Sequence, residues 1–151
     1  MKYLFYSIIS TLVLFVSCND DKEKDFVAEN DRQILTYLND NNLTAEKSES
    51  GLYYIIENQG SGQQPSFNSN VTVAYKGYYV DGTVFDESNA LGISFNLQRV
   101  IGGWTEGITY FKEGGNGMLL IPSHLGYGSN DFNGIPGGSV LLFDVKLISV
   151  N

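Results

Sequence analysis

From Gly51 onward the apolar residues recur at every second position in short runs, and each run stops at glycine, proline or Asx residues, a period that only strands can use. Leu52, Tyr54 and Ile56 alternate with Tyr53, Ile55 and Glu57 before the run closes at Asn58-Gln59-Gly60-Ser61-Gly62. Val71, Val73 and Tyr75 share one face of the next run, and Asp81-Gly82 predicts a tight turn into Thr83-Val84-Phe85. Ile93, Phe95 and Leu97 form another alternating run. Met118 to Ile121 reads as a buried strand stopped by Pro122, and Val140 to Val150 sets Leu141, Phe143, Val145 and Leu147 on one face. One stretch breaks the period: Gly103 to Phe111 carries Trp104, Ile108 and Phe111 at i, i+4 and i+7, which predicts the single helix of this region. A glycine-rich loop covers Gly126 to Gly138. The pattern predicts an α+β domain over residues 51–151, an antiparallel β-sheet wrapped around one short α-helix, expected to fold by itself.

The first 50 residues have a different texture. Lys2 precedes an apolar run from Leu4 to Val16, which is shorter than the roughly 20 residues a spanning helix needs. It ends in Phe15-Val16-Ser17-Cys18, which resembles a lipobox, the site at which bacteria attach a lipid to cysteine and cleave before it. Residues 1–17 are therefore expected to be a lipoprotein signal peptide and Cys18 the lipidated residue, with a membrane as a partner through that anchor. A membrane anchor left uncleaved is the alternative. Asn19 to Asp25 is charged and poor in apolar groups, and reads as a solvated tether. Phe26 to Asn42 has helical periodicity, with Phe26, Ile34, Leu35 and Leu38 able to share a thin stripe, so a peripheral helix is expected there. Ser48-Glu49-Ser50-Gly51 marks its separation from the domain, giving a tether and helix over residues 18–50.

Composition removes several classes of function. Hydrophobic residues make up 42% and charged residues 17%, too apolar a balance for a disordered chain. The net charge is −8 and no Lys/Arg run occurs, so nucleic acid is not an expected partner. With one Cys and one His, no metal site is expected, and the glycine pairs lack the Lys and Ser/Thr of a phosphate-binding loop. A single cysteine also forbids an intrachain disulfide.

Four segments in register carry a family resemblance. The first joins Val73-Ala74-Tyr75-Lys76-Gly77-Tyr78 to Asp81-Gly82-Thr83-Val84-Phe85-Asp86-Glu87-Ser88. Then come Gln98-Arg99-Val100-Ile101-Gly102-Gly103-Trp104-Thr105-Glu106-Gly107, Ile121-Pro122-Ser123-His124-Leu125-Gly126-Tyr127-Gly128, and Ile135 to Val145. In order and spacing they resemble the FKBP-type peptidyl-prolyl cis/trans isomerases, across essentially all of residues 51–151.

The resemblance implies a pocket for proline-containing polypeptides. Tyr75, Phe85, Trp104 and Phe143 correspond to its aromatic walls and floor. Val100 and Ile101 correspond to the rim, with the Ile101 backbone N–H free for a ligand carbonyl. Asp86 and Tyr127 correspond to the catalytic polar groups beside the substrate amide, and Ile135 to the flap residue that closes over proline. Ile93 stands near a position usually held by a further aromatic. The flap is short, with 15 residues between Tyr127 and Phe143, and Ser129-Asn130-Asp131-Phe132-Asn133-Gly134 replaces its usual histidine-containing stretch. The implied activity needs no cofactor, admits macrolide FKBP inhibitors, and would serve exported clients from a lipid anchor on the outer membrane, facing the periplasm or the cell surface. The alternative is a weakly catalytic or non-catalytic binding module of a surface or gliding apparatus, and a third reading is a structural lipoprotein whose helix dimerises.

Overall fold

The computed structural model describes residues 20–151, with side chains of the first helix described from Phe26 onward. The expected signal peptide and Cys18 lie outside the described residues. Helix α1 runs Asp20–Asp40, so the stretch read as a tether is helical from Asp20. Lys and Glu in that stretch are good helix formers. The helix stops in a Schellman arrangement. Asn42 takes the left-handed conformation (φ 53°), its N–H donates to the Asn39 carbonyl, and the Leu43 N–H donates to the Leu38 carbonyl at 2.8 Å.

Ser48 to Gly51 does not separate α1 from the domain. Strand β1 (Glu46–Lys47) pairs with β2 (Tyr53–Asn58), and residues 48–51 are the turn between them. Strands β3 (Asn70–Tyr78), β4 (Val84–Glu87), β5 (Ile93–Asn96), β6 (Asn116–Ile121) and β7 (Leu141–Val150) complete an antiparallel sheet. Among the described residues its order is β1-β2-β6-β7-β3-β4, and β5 shares the outer edge of β3 with β4. In that edge β5 takes residues 70–73 and β4 takes residues 76–78. The expected helix is α2 (Gly102–Gly107), continued by a 3-10 turn over Ile108–Tyr110. Two further 3-10 turns, Leu97–Arg99 and Ser123–Leu125, lie where no helix was expected.

The sheet has a core on each face. Its concave face closes over α2, where Trp104, Ile108 and Phe111 pack with Leu52, Val71, Val73, Leu119, Ile121, Leu141, Phe143, Val145 and Leu147. A side chain on α2 would collide with the sheet: a Cβ on Gly103 or Gly107 would lie 2.6 Å from Ile121 or Leu119. The other face carries Tyr53, Leu120, Val140 and Leu142, and α1 covers it with Ile34 and Leu38.

The buried row of α1 differs from the expected stripe. Leu35 is half exposed, whereas Asn30 is fully buried. Residues 26, 30, 34 and 38 recur every four positions and form one ridge, and Leu35 stands about 100° round the helix from Ile34. Ile34 and Leu38 of that ridge meet the sheet, flanked by Tyr37 against the same core and by Asp31, which accepts from the Tyr53 hydroxyl at 2.7 Å.

Candidate active site

The open end of the concave face holds a cleft of about 650 Å³. Every cleft residue expected from the sequence lines it: Tyr75 from β3, Phe85 and Asp86 from β4, Val100 and Ile101 before α2, Trp104 from α2, Phe143 from β7, and Tyr127 and Ile135 from the loop after β6. Ile93 lines it as well and is nearly half exposed.

Trp104 forms the floor. It is 5% exposed, and its ring meets Tyr75 at 5.0 Å (90°), Phe143 at 5.2 Å (87°) and Phe95 at 5.3 Å. Phe85 stands on the edge of Phe143 at 5.5 Å. Perpendicular rings place positive edges against negative faces, so the aromatic cluster is held by geometry as well as by apolar burial. The buried Trp104 Nε1 has no hydrogen-bond partner among the described residues.

One polar pair edges this apolar floor. Register sets Asp86 opposite Gly77, two residues along the same face from Tyr75, and the Tyr75 hydroxyl donates to Asp86 Oδ2 at 2.6 Å. Burial, then the hydrogen bond to Asp86 and its negative charge, push the Tyr75 phenol well above the ordinary tyrosine range. Burial, then the charge of Asp86, raise the Tyr127 phenol as well. Both phenols are therefore protonated donors at neutral pH. No acceptor among the described residues takes the Ile101 N–H, because Ile101 caps α2 with its carbonyl alone.

Sequence reasoning missed three lining residues, Phe95, Phe132 and Asn133, and gave Arg99 no role. Phe132 has a readable signal. Asn133 (φ 47°) and Gly134 (φ 84°) are both left-handed, and Phe132 and Ile135 exchange backbone hydrogen bonds across them at 2.9 and 2.8 Å. That is a two-residue hairpin turn of the type Asn-Gly favours. It brings Phe132 into parallel stacking with Tyr127, ring centres 5.1 Å apart. The stretch that departs from the usual flap thus supplies an aromatic lip.

Comparison with known proteins agrees with this geometry. Residues 61–148 match the family model described as FKBP-type peptidyl-prolyl cis-trans isomerase. The chain belongs to the FKBP-type isomerase family. Among curated FKBP-type relatives, the isomerase FkpA of Buchnera aphidicola subsp. Schizaphis graminum is 47% identical over 107 residues, 69% of this chain and 42% of the relative. FkpA of Escherichia coli K12 is 45% identical over 105 residues, 68% of this chain and 39% of that one. The chain thus spans about two-fifths of the length of the curated relatives it matches. The crystal structure of FkpA from Escherichia coli superposes with a TM-score of 0.74 at 38% identity, covering 87% of this chain and 63% of the other. A peptidyl-prolyl cis-trans isomerase from Pseudomonas syringae pv. tomato gives 0.71 at 27% identity, with coverage of 85% and 95%.

Proposed function

We propose that this chain is a peptidyl-prolyl cis/trans isomerase that accelerates X-Pro rotation in exported polypeptides. The observation that carries the reading is an aromatic floor centred on Trp104 with one oriented polar pair, Tyr75 and Asp86, at its edge. Rotation must break amide resonance, a barrier of about 18–20 kcal/mol, while the two isomers differ by only about 0.5–1 kcal/mol. The enzyme changes a rate and forms no bond, so the chemistry asks for neither nucleophile nor cofactor. A planar amide is more dipolar than a twisted one. Transfer from water to the apolar floor therefore disfavours the ground state relative to the twisted form. Trp104, Phe143 and Phe85 grip the proline ring, and the Ile101 N–H holds a substrate carbonyl. Asp86 and Tyr127 face the rotating amide with fixed dipoles, which need no reorganisation as rotation proceeds. Val100 and Ile135 close the rim.

The residues that line the site lie in 51–151, while α1 and β1, before Gly51, buttress the sheet from its other face and edge. We propose further that Cys18 carries the lipid anchor and that the protein works in the cell envelope, the setting suggested by the lipobox-like Phe15 to Cys18. Uncatalysed isomerisation takes tens to hundreds of seconds, slow enough to delay the folding of exported clients.

The test of function is a protease-coupled isomerisation assay on short X-Pro peptides with the full chain, repeated with a macrolide FKBP inhibitor. Catalysis abolished by the macrolide is the expected result. A folded chain that binds proline peptides without accelerating them is a docking module instead. For the anchor, Cys18→Ser is expected to abolish incorporation of labelled fatty acid and to move the protein out of the membrane fraction. Equal labelling of both proteins removes the anchor from the reading.

A further inference from the structure

We infer that Asn30, on the helix outside the aligned segments, is a positioning residue for the flap that forms one side of the cleft. The inference rests on the isomerase reading of that cleft, but its geometry is independent of it. Asn30 is fully buried, and its side-chain amide uses both ends. Nδ2 donates to the Gly138 carbonyl at 2.8 Å, and Oδ1 accepts from the Ser123 N–H at 2.7 Å. Two backbone bonds complete a circuit: the Gly138 N–H donates to the Gly128 carbonyl at 2.9 Å, and the Gly128 N–H donates to the Ser123 carbonyl at 2.8 Å.

Gly128 and Gly138 are the two ends of the flap. Between them lie Phe132 and Ile135, and Tyr127 immediately precedes them. The circuit therefore ties the flap's ends to each other and to α1. Phe26, one turn before Asn30, packs directly on Gly138, where a Cβ would collide with its ring. If the amide is removed, the Ser123 N–H and the Gly138 carbonyl lose their partner in a dry site, and a buried unpaired group favours any opening that admits water. That opening is the flap's.

The experiment uses the full chain and four proteins: wild type, Asn30→Ala, Asn30→Asp, and Ile34→Ala. Ile34 is the next residue of the same ridge and is fully buried, but none of these hydrogen bonds involves it. Backbone hydrogen exchange across residues 126–138 is read beside kcat/KM on an X-Pro peptide. Asn30→Ala is expected to speed flap exchange and to lower kcat/KM by about tenfold each. Ile34→Ala should lower the melting temperature while both readouts stay near wild type. Asn30→Asp keeps the acceptor for the Ser123 N–H and loses the donor to Gly138. It should loosen residues 135–138 more than residues 126–128, and it serves as the test if Asn30→Ala does not fold. Flap exchange in the Asn30 variants that stays near wild type, or that rises no more than the loss of global stability explains, overturns the inference. Exchange needs no turnover, so an inactive wild type would sink the isomerase reading while the clamp is still judged by exchange.

Discussion

Replacing Trp104 by alanine is expected to cost the protein both its ligand and part of its fold. The ring touches Tyr75, Phe95 and Phe143, and truncating a fully buried aromatic costs about 3–5 kcal/mol. One face of Trp104 borders the cleft, where no neighbour loses contacts, so the lower end of that range applies. Binding should suffer more, because the removed ring is the surface on which proline would sit. A loss of at least about thirtyfold in macrolide affinity and in kcat/KM is the size expected for such an anchor. Trp104→Phe keeps an aromatic floor and should fold normally while binding more weakly. Asp86→Ala is the contrasting variant. Asp86 is exposed and leaves no cavity, so kcat/KM should fall clearly while the melting temperature stays within a few degrees of wild type. Trp104 is the only tryptophan, so its fluorescence reports occupancy directly. A saturating macrolide that leaves this fluorescence unchanged, together with unaltered catalysis in Asp86→Ala, would refute the site.

The second large effect is expected from cutting the chain at Gly51. The fragment 51–151 keeps the aligned segments but loses Ile34 and Leu38, each contributing about 1.5–3 kcal/mol by burial. It also loses β1, the Asn30 bonds, and the cover over Tyr53, Leu120, Val140 and Leu142. Domains of this size have about 5–15 kcal/mol in total. The fragment is therefore expected to melt more than about 10 °C below a 20–151 chain, and to bind hydrophobic dyes through the bared face. Melting followed by circular dichroism decides it. Coincident curves would mean that the second core contributes nothing to stability, and that the fragment is the self-sufficient domain its strand pattern suggests.

The concave half of the molecule was legible because its residues obey one period. Val71, Val73 and Tyr75 on β3, and Leu141, Phe143, Val145 and Leu147 on β7, all face α2 as their alternation requires. The nine cleft residues followed from the aligned segments, and the cleft assembles all nine. The outer half was less legible. Its sign was the failure of alternation in Leu119-Leu120-Ile121 and Leu141-Leu142-Phe143, where neighbours on opposite faces are all apolar and all buried. Such runs mean a sheet covered on both sides, and among the described residues α1 supplies that cover. Asn30 gave no sign at all. A lone polar residue on a helix looks solvated until tertiary structure brings Ser123 and Gly138 to its amide. Phe95 was read only as a strand residue, because alternation tells which face a side chain takes and not whether that face ends in a cleft.

The position of β7 has a consequence for how such a chain is made and moved. It is the last of the described strands, yet it lies between β6 and β3, pairing with β3 over residues 142–150 and with β6 over residues 141–146. Val71 finds its partner at Val150 and Tyr78 at Leu142, so the central ladder joins residues far apart in the chain. Contacts of such separation carry a large loop-closure cost and form late. Until β7 emerges, β3 with β4 and β5, and β6 with β2 and β1, are two separate pieces of sheet with no strand to join them. A chain leaving a ribosome or crossing a membrane with its N-terminus first thus cannot close its sheet early. Closure of the sheet waits for β7, the strand that joins its two pieces.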